Sequence, residues 1–138
     1  MTKILIVDDN CDAGEGLARA FRQSGHEVTC VPNGKEALAE VLHETPDVVL
    51  LDLMMPDMDG PSFLQVVRLY LKMHALPVVV LTGFTSSPLI ERALHLGVHS
   101  VMVKGKSSSS DVLKALEGAI SAGERRGSEL RLVDQERS

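Results

Sequence analysis

Two unbroken apolar runs, Ile4, Leu5, Ile6, Val7 and Val48, Val49, Leu50, Leu51, constrain this chain more than any other feature. A strand with one face in water alternates apolar and polar residues. A run that is apolar at every position needs both faces covered, as in the interior of a parallel sheet. Both runs are too short for a helix, and both stop at acid: Asp8 and Asp9 follow the first, and Asp52 follows the second. A carboxylate leaving such a strand stands at the carboxyl edge of the sheet, where open α/β folds bind their ligands. Taken alone, Asp52 could simply cap a strand or begin a turn. The rest of the chain decides between the two.

The intervening residues alternate strand and helix. Residues 13–24 read as a helix carrying Leu17 and Phe21, stopped by Ser24 and Gly25. Residues 27–31 form a second strand, and Asn33 caps a helix with Ala37, Leu38, Val41 and Leu42 on one face and Glu36 set for a capping box. After Asp52, the segment Met54, Met55, Pro56 turns away, and Gly60-Pro61 opens a helix whose stripe is Phe63, Val66, Val67, Tyr70 and Leu71. A fourth strand over 76–81 ends at Thr82. The next helix starts at Ser87-Pro88 and carries Leu89, Ile90, Ala93 and Leu94, with Gly97 closing it. A fifth strand over 98–103 ends at Lys104, and Val112, Leu113, Leu116, Ala119 and Ile120 stripe a last helix. Five such alternations predict an α/β fold: a doubly wound, five-stranded parallel sheet in the flavodoxin-like order 2-1-3-4-5, with five helices.

Residues 1–122 read as one domain. Over 123–138 half the residues are charged, with signs balanced, so this segment reads as a charged tail or linker. The formal net charge of −5 gives no reason to expect nucleic-acid binding. Two cysteines, Cys11 and Cys30, without a CxxC pair suit a reducing compartment. No stretch reaches the roughly 20 apolar residues of a membrane span. The amino terminus lacks the apolar length of a signal peptide, and these features together point to the cytoplasm.

The order 2-1-3-4-5 puts its switch point between strands 1 and 3, the strands that end in Asp8-Asp9 and Asp52. Three carboxylates there suit a hard cation such as Mg²⁺, and Lys104 and Thr82 on neighbouring strands suit phosphoryl oxygens. Metal, ammonium and hydroxyl together would neutralise charge as a phosphoryl group moves onto an oxygen nucleophile.

In these residues, over positions 3 to about 122, the chain resembles the receiver domain of bacterial two-component response regulators. The resemblance rests on Asp8-Asp9, Asp52 with the Met-Met-Pro-Asp-Met-Asp-Gly that follows it two residues on, Thr82 and Lys104, at intervals like those of the single-domain chemotaxis regulators. It implies that Asp52 is the phosphoacceptor in a Mg²⁺-dependent phosphorelay, charged by a sensor histidine kinase, a histidine phosphotransfer protein or a small acyl phosphate. It implies that Asp9, Asp52 and the backbone carbonyl of Met54 ligate Mg²⁺, with Asp8 acting through water. Lys104 would pair with the phosphoryl group and Thr82 would move to meet it. Output would pass to a downstream protein target, with no direct contact to nucleic acid or membrane, and the chain would catalyse only its own phosphorylation and dephosphorylation.

Three positions depart from the family pattern. Val101 stands where the family usually has an aromatic ring, Gly105 follows the lysine in place of Pro, and Phe84 is bulky. Met54 and Phe84 would flank the approach of a hydrolytic water, and neither positions one strongly, so a long-lived phosphorylated state is expected. One alternative is a degenerate receiver serving as a binding scaffold. Another is a haloacid-dehalogenase-type phosphatase, which needs a second Asp where this chain has Met54.

Overall fold

The computed structural model describes residues 2–83 and 88–137, with side chains 12–15 and 124–137 outside the description. The elements alternate throughout: β1 (Lys3–Val7), α1 (Cys11–Gln23), β2 (Glu27–Val31), α2 (Gly34–His43), β3 (Val48–Leu51), α3 (Gly60–Gln65), β4 (Val78–Thr82), α4 (Pro88–Leu96), β5 (Ser100–Val103) and α5 (Ser109–Arg137). All strand pairs are parallel, in the order β2-β1-β3-β4-β5. The fold is the doubly wound, flavodoxin-like sheet that the alternation predicts.

The unbroken apolar runs divide between two cores by the period of two. Leu5, Val7, Val49, Leu51, Val78 and Val80 face one way, onto Ala37, Val41, Phe63, Leu64 and Ala93 of α2, α3 and α4. Ile4, Ile6, Val48, Leu50, Val79 and Leu81 face the other way, onto Ala18, Phe21, Val112, Leu116 and Ala119 of α1 and α5. Phe21 and Phe63 are fully buried, one in each core. Truncating either to Ala should cost about 3–5 kcal/mol.

Several boundaries and faces differ from the sequence reading. β4 begins at Val78 because Pro77 has no N–H to give the ladder, although its carbonyl still accepts from Val49 N at 2.9 Å. β5 is likewise shorter, starting at Ser100, and α1 begins earlier, at Cys11. Leu42 lies about 140° around α2 from the buried Ala37 and is 65% exposed. Leu94 is also exposed, since α4 turns Ala93 inward with Leu89, Ile90 and Leu96 half-buried beside it. Tyr70 does not join the stripe of α3. The helix widens into a π-turn over Val66–Tyr70, where Leu71 N donates to Val66 O, and the extra residue rotates Tyr70 into solvent and Arg68 inward. Ser87 and Phe84 lie outside the described residues.

Asn33 caps α2 as expected, its Oδ1 accepting from Glu36 N at 2.8 Å. Asp59 caps α3, accepting from Ser62 N at 2.8 Å, one residue ahead of the Gly60-Pro61 start. Gly60 is required by close approach. A Cβ there would stand 2.6 Å from Asp52 O and 2.8 Å from Leu53 Cα. Gly60→Ala should therefore lower stability by roughly 1–3 kcal/mol. Gly16→Ala in α1, where a Cβ meets nothing within 4 Å, should raise it by about 0.5–1 kcal/mol. Urea unfolding of the two variants against the parent checks the contrast.

Candidate functional site

Parallel register sets the site. Val7 pairs with Leu51, so Asp8 and Asp52 leave neighbouring central strands side by side. Asp52 N donates to Val7 O at 2.9 Å, and Asp8 N donates to Val31 O at 3.1 Å. One strand further on, Thr82 pairs with Val103, and Lys104 N donates to Thr82 O at 2.8 Å. Asp8, Asp9, Asp52, Thr82 and Lys104 therefore stand at one edge of one sheet.

Asp8, Asp9 and Asp52 each bring a carboxylate oxygen within 4.8 Å of the others, a set that can hold a hard cation. Asp8 and Asp52 are buried and Asp9 is exposed. Lys104 Nζ lies 2.9 Å from Asp8 Oδ2 and 3.3 Å from Asp52 Oδ2. The second oxygen of each buried carboxylate takes a local N–H: Asn10 N donates to Asp8 Oδ1 at 2.9 Å, and Met54 N donates to Asp52 Oδ1 at 3.3 Å. Each buried carboxylate is thus held by one backbone amide and one shared ammonium.

Burial pushes the Asp52 carboxyl above its ordinary value. The Asp8 charge adds to this, and Lys104 and the Met54 amide only partly offset it. Burial pulls the Lys104 ammonium the other way, but the hydrogen bond to Asp8 and the charge of Asp52 outweigh it, so its pKa is raised. The lysine stays charged at neutral pH.

Thr82 is fully buried, and its Oγ1 has no hydrogen-bond partner among the described residues. An orphaned buried hydroxyl is costly, and its place at this edge suits an oxygen supplied from outside the chain. Beside Lys104 lies a cavity of about 270 Å³, lined by Asp8, Leu17, Leu81, Gly105, Ser107 and Val112. Gly105 has φ +82°, a value closed to proline, so the path out of β5 needs the glycine found there. Val101 is half-buried and packs against the core under α4. The Met54 side chain is exposed.

The loop after Asp52, residues 54–60 of the Met-Met-Pro-Asp-Met-Asp-Gly stretch, is anchored by contacts to which the sequence analysis assigned no role. Asp57 takes φ +69°, Met58 N donates to Pro56 O, and Gly60 N donates to Leu53 O at 2.9 Å. Met58 seats on Gly34 so closely that a Cβ there would lie 2.7 Å from its sulfur. Asp59 also faces Arg92 of α4, with Oδ2 and Nη1 3.5 Å apart. The Asp-Gly-Pro order of residues 59–61 was the one available signal, an N-cap followed by a helix start.

The site is an open parallel sheet with three carboxylates at its switch point and, two strands from Asp52, a lysine that bridges two of them. Residues 4–117 match the response regulator receiver domain, and the chain belongs to that family. It is 35% identical over 104 residues to Regulatory protein AtoC of Escherichia coli (strain K12), covering 75% of this chain and 22% of that protein. It is 31% identical over 113 residues to Transcriptional regulatory protein YdfI of Bacillus subtilis (strain 168), covering 80% of this chain and 51% of that protein. The chain therefore spans about a fifth of the first regulator and about half of the second. Among solved structures, it is similar to a CheY-like receiver domain protein from Methanospirillum hungatei JF-1, with a TM-score of 0.83 and 24% identity over 91% of this chain and 98% of that one. It is also similar to chemotaxis protein CheY4 of Vibrio cholerae, with a TM-score of 0.78 and 29% identity over 86% of this chain and 98% of that one. Among the described residues no helix is long and apolar enough to cross a membrane.

The direction of the Asp52 shift gives a stability test. The folded carboxyl holds its proton more tightly than the unfolded one, whose value is near 3.8. The penalty for ionising it is absent below that value, grows as pH rises, and is complete above the folded value. At pH 7 without metal, Asp52→Asn should melt higher than the parent, and the gap should close as pH falls toward 4. Lys104→Met should do the opposite at pH 7, leaving two buried carboxylates face to face at a cost of roughly 1–3 kcal/mol, reduced from the fully buried case by the exposure of the lysine. Thermal melts from pH 4 to 8 read both signs.

Proposed function

We propose that this chain accepts a phosphoryl group on Asp52 from a phosphohistidine of a sensor histidine kinase or histidine phosphotransfer protein. The observation that carries the reading is the convergence of Asp8, Asp9, Asp52 and Lys104 on one point, with the buried Thr82 hydroxyl at the same edge lacking a partner among the described residues. An ionised Asp52 oxygen attacks phosphorus. The new P–O bond forms as the P–N bond breaks, and the imidazole leaves with the electron pair. Lys104, already bridging Asp8 and Asp52, shifts its ammonium to a phosphoryl oxygen, and Thr82 donates its hydroxyl to another.

The carboxylates of Asp9 and Asp52 and the carbonyl of Met54 would hold Mg²⁺, with Asp8 acting through water, and the ion would supply charge neutralisation to the phosphoryl oxygens. The role is that of a signalling switch acting only on its own phosphoryl group. We assign residues 1–122 to the receiver and 123–138 to a charged extension, and place the protein in the cytoplasm. Output passes to a downstream protein. With Val101 in the position of the usual ring, the relay runs instead through the loop from Gly83 to Pro88, of which residues 84–87 lie outside the described residues, through α4, and through Gly105–Ser110.

With Mg²⁺ and acetyl phosphate, the parent should gain one phosphoryl group and Asp52→Asn none, as read by intact-protein mass spectrometry. Phosphorylation of Asp52→Asn at the parental rate would overturn the assignment. Asp9→Ala should raise the ion-free melting temperature, by less than Asp52→Asn does at pH 7, since one of three like charges is lost but Asp9 is exposed. The same variant should lose all stabilisation by Mg²⁺.

A further inference from the structure

Transfer from a phosphohistidine gives no task to the cavity of about 270 Å³ beside Lys104. Its lining is of two kinds. Asp8 and Lys104 are charged, whereas Leu17 of α1, Leu81 of β4 and Val112 of α5 are apolar. Leu81 and Val112 are buried, and Leu17 is half-buried. Ser107 and the exposed Gly105 complete the lining. A Cβ added at Gly105 would meet nothing within 4 Å, so no neighbour fills the space there.

The charged lining is engaged except for one donor. Asp8 Oδ1 accepts from Asn10 N at 2.9 Å, and Asp8 Oδ2 accepts from Lys104 Nζ at 2.9 Å. Lys104 Nζ also donates to Asp52 Oδ2 at 3.3 Å. An ammonium has three N–H donors, and the two carboxylates take two of them. Among the described residues the third has no partner, so it can take an oxygen from outside the chain. Leu17, Leu81 and Val112 offer no hydrogen bond, and water against them is readily displaced by carbon. The space is several times the roughly 30 Å³ of one water, enough for a short hydrocarbon chain. These walls favour an occupant with an anionic head at Lys104 and a short apolar body. An acyl phosphate has that form and is also a phosphoryl donor.

We propose that the cavity is an acyl subsite: it seats the apolar chain of a free acyl phosphate, so that donors longer than acetyl phosphate charge Asp52 faster. The inference rests on the phosphoacceptor reading of Asp52. An Asp52 oxygen bonds to phosphorus as the P–O bond to the acyl oxygen breaks. The acyl group leaves as a carboxylate with the electron pair, and no proton is transferred. The Lys104 ammonium turns an N–H to a phosphoryl oxygen. Contacts of the chain with Leu17, Leu81 and Val112 lie away from the reacting atoms and hold the donor in place for the attack.

Rates of phosphorylation of the full chain with Mg²⁺ and equal, subsaturating acetyl or butyryl phosphate test the subsite, read by intact-protein mass spectrometry. Acetate and butyrate are leaving groups of nearly equal basicity, so the ratio of rates reports the fit of the chain. Each buried methylene is worth roughly fourfold, and butyryl phosphate should react on the order of tenfold faster. Ser107→Leu and Leu17→Phe each put extra carbon into the cavity from a different segment. Each should bring the ratio of butyryl to acetyl rates toward one, and if one variant does not fold the other decides. A parental ratio near one, or a ratio kept at the parental value in the variants, would overturn the subsite. Binding is read without transfer by 2-oxopropylphosphonate and 2-oxopentylphosphonate, which copy the two donors with CH₂ in place of the bridging oxygen. With Mg²⁺, the longer should shift the methyl NMR signals of Leu17, Leu81 and Val112 well beyond the shorter. Equal shifts, or none, would overturn the subsite. Labelling by neither donor would count against the phosphoacceptor reading of Asp52, and the phosphonates then judge the cavity by themselves.

Discussion

Lys104 is the contact on which the site depends. Two buried carboxylates on adjacent strands repel each other and pay for lost hydration, and the ammonium 2.9 Å from one and 3.3 Å from the other makes their approach tolerable. The balance is incomplete by design of the position: the net effect on Asp52 is still to favour its proton. A carboxylate held in that state gains more than an exposed one from any positive charge brought to it, so the strain and the affinity for cations have one origin. Asp9, exposed beside the pair, completes the acidic set without adding a third burial cost.

The sheet supplies the geometry that makes this possible. Parallel pairing carries every strand to the same edge, and strands apolar on both faces leave their first polar residue at that edge and nowhere else. The two cores clamp the strands from opposite sides, so Asp8 and Asp52 cannot withdraw without pulling Val7 and Leu51 out of fully buried positions. Gly60 finishes the job on the loop: its hydrogen on Cα lets the chain pass against the Asp52 carbonyl, and its N–H closes on Leu53 O.

The strand ends were legible for a physical reason. An apolar run that stops at Asp, Thr or Lys marks both the strand and its edge, so Asp8, Asp9, Asp52, Thr82 and Lys104 are legible as a set in the sequence alone. Arg68 was not. In sequence it interrupts an apolar stripe and looks like a solvated residue, and only the π-turn, which has no local signature, turns it inward. Tyr70 was misplaced by the same turn. Met58 and Gly34 are a packing pair 24 positions apart, and neither residue type announces the other.

By itself the sequence determined the order of strands and helices, the edge at which the chemistry gathers and the residues that gather there. Period and punctuation are local properties, and the right-handed crossover leaves little freedom in assembling them. Only the tertiary structure decided that Lys104 bridges Asp8 and Asp52, that Thr82 is buried with no partner for its hydroxyl among the described residues, and that the π-turn carries Arg68 to the carbonyls of Leu96 and Gly97 at the end of α4. Those facts depend on distances between residues up to 96 positions apart, which are set by how two cores pack and not by any stretch of chain alone.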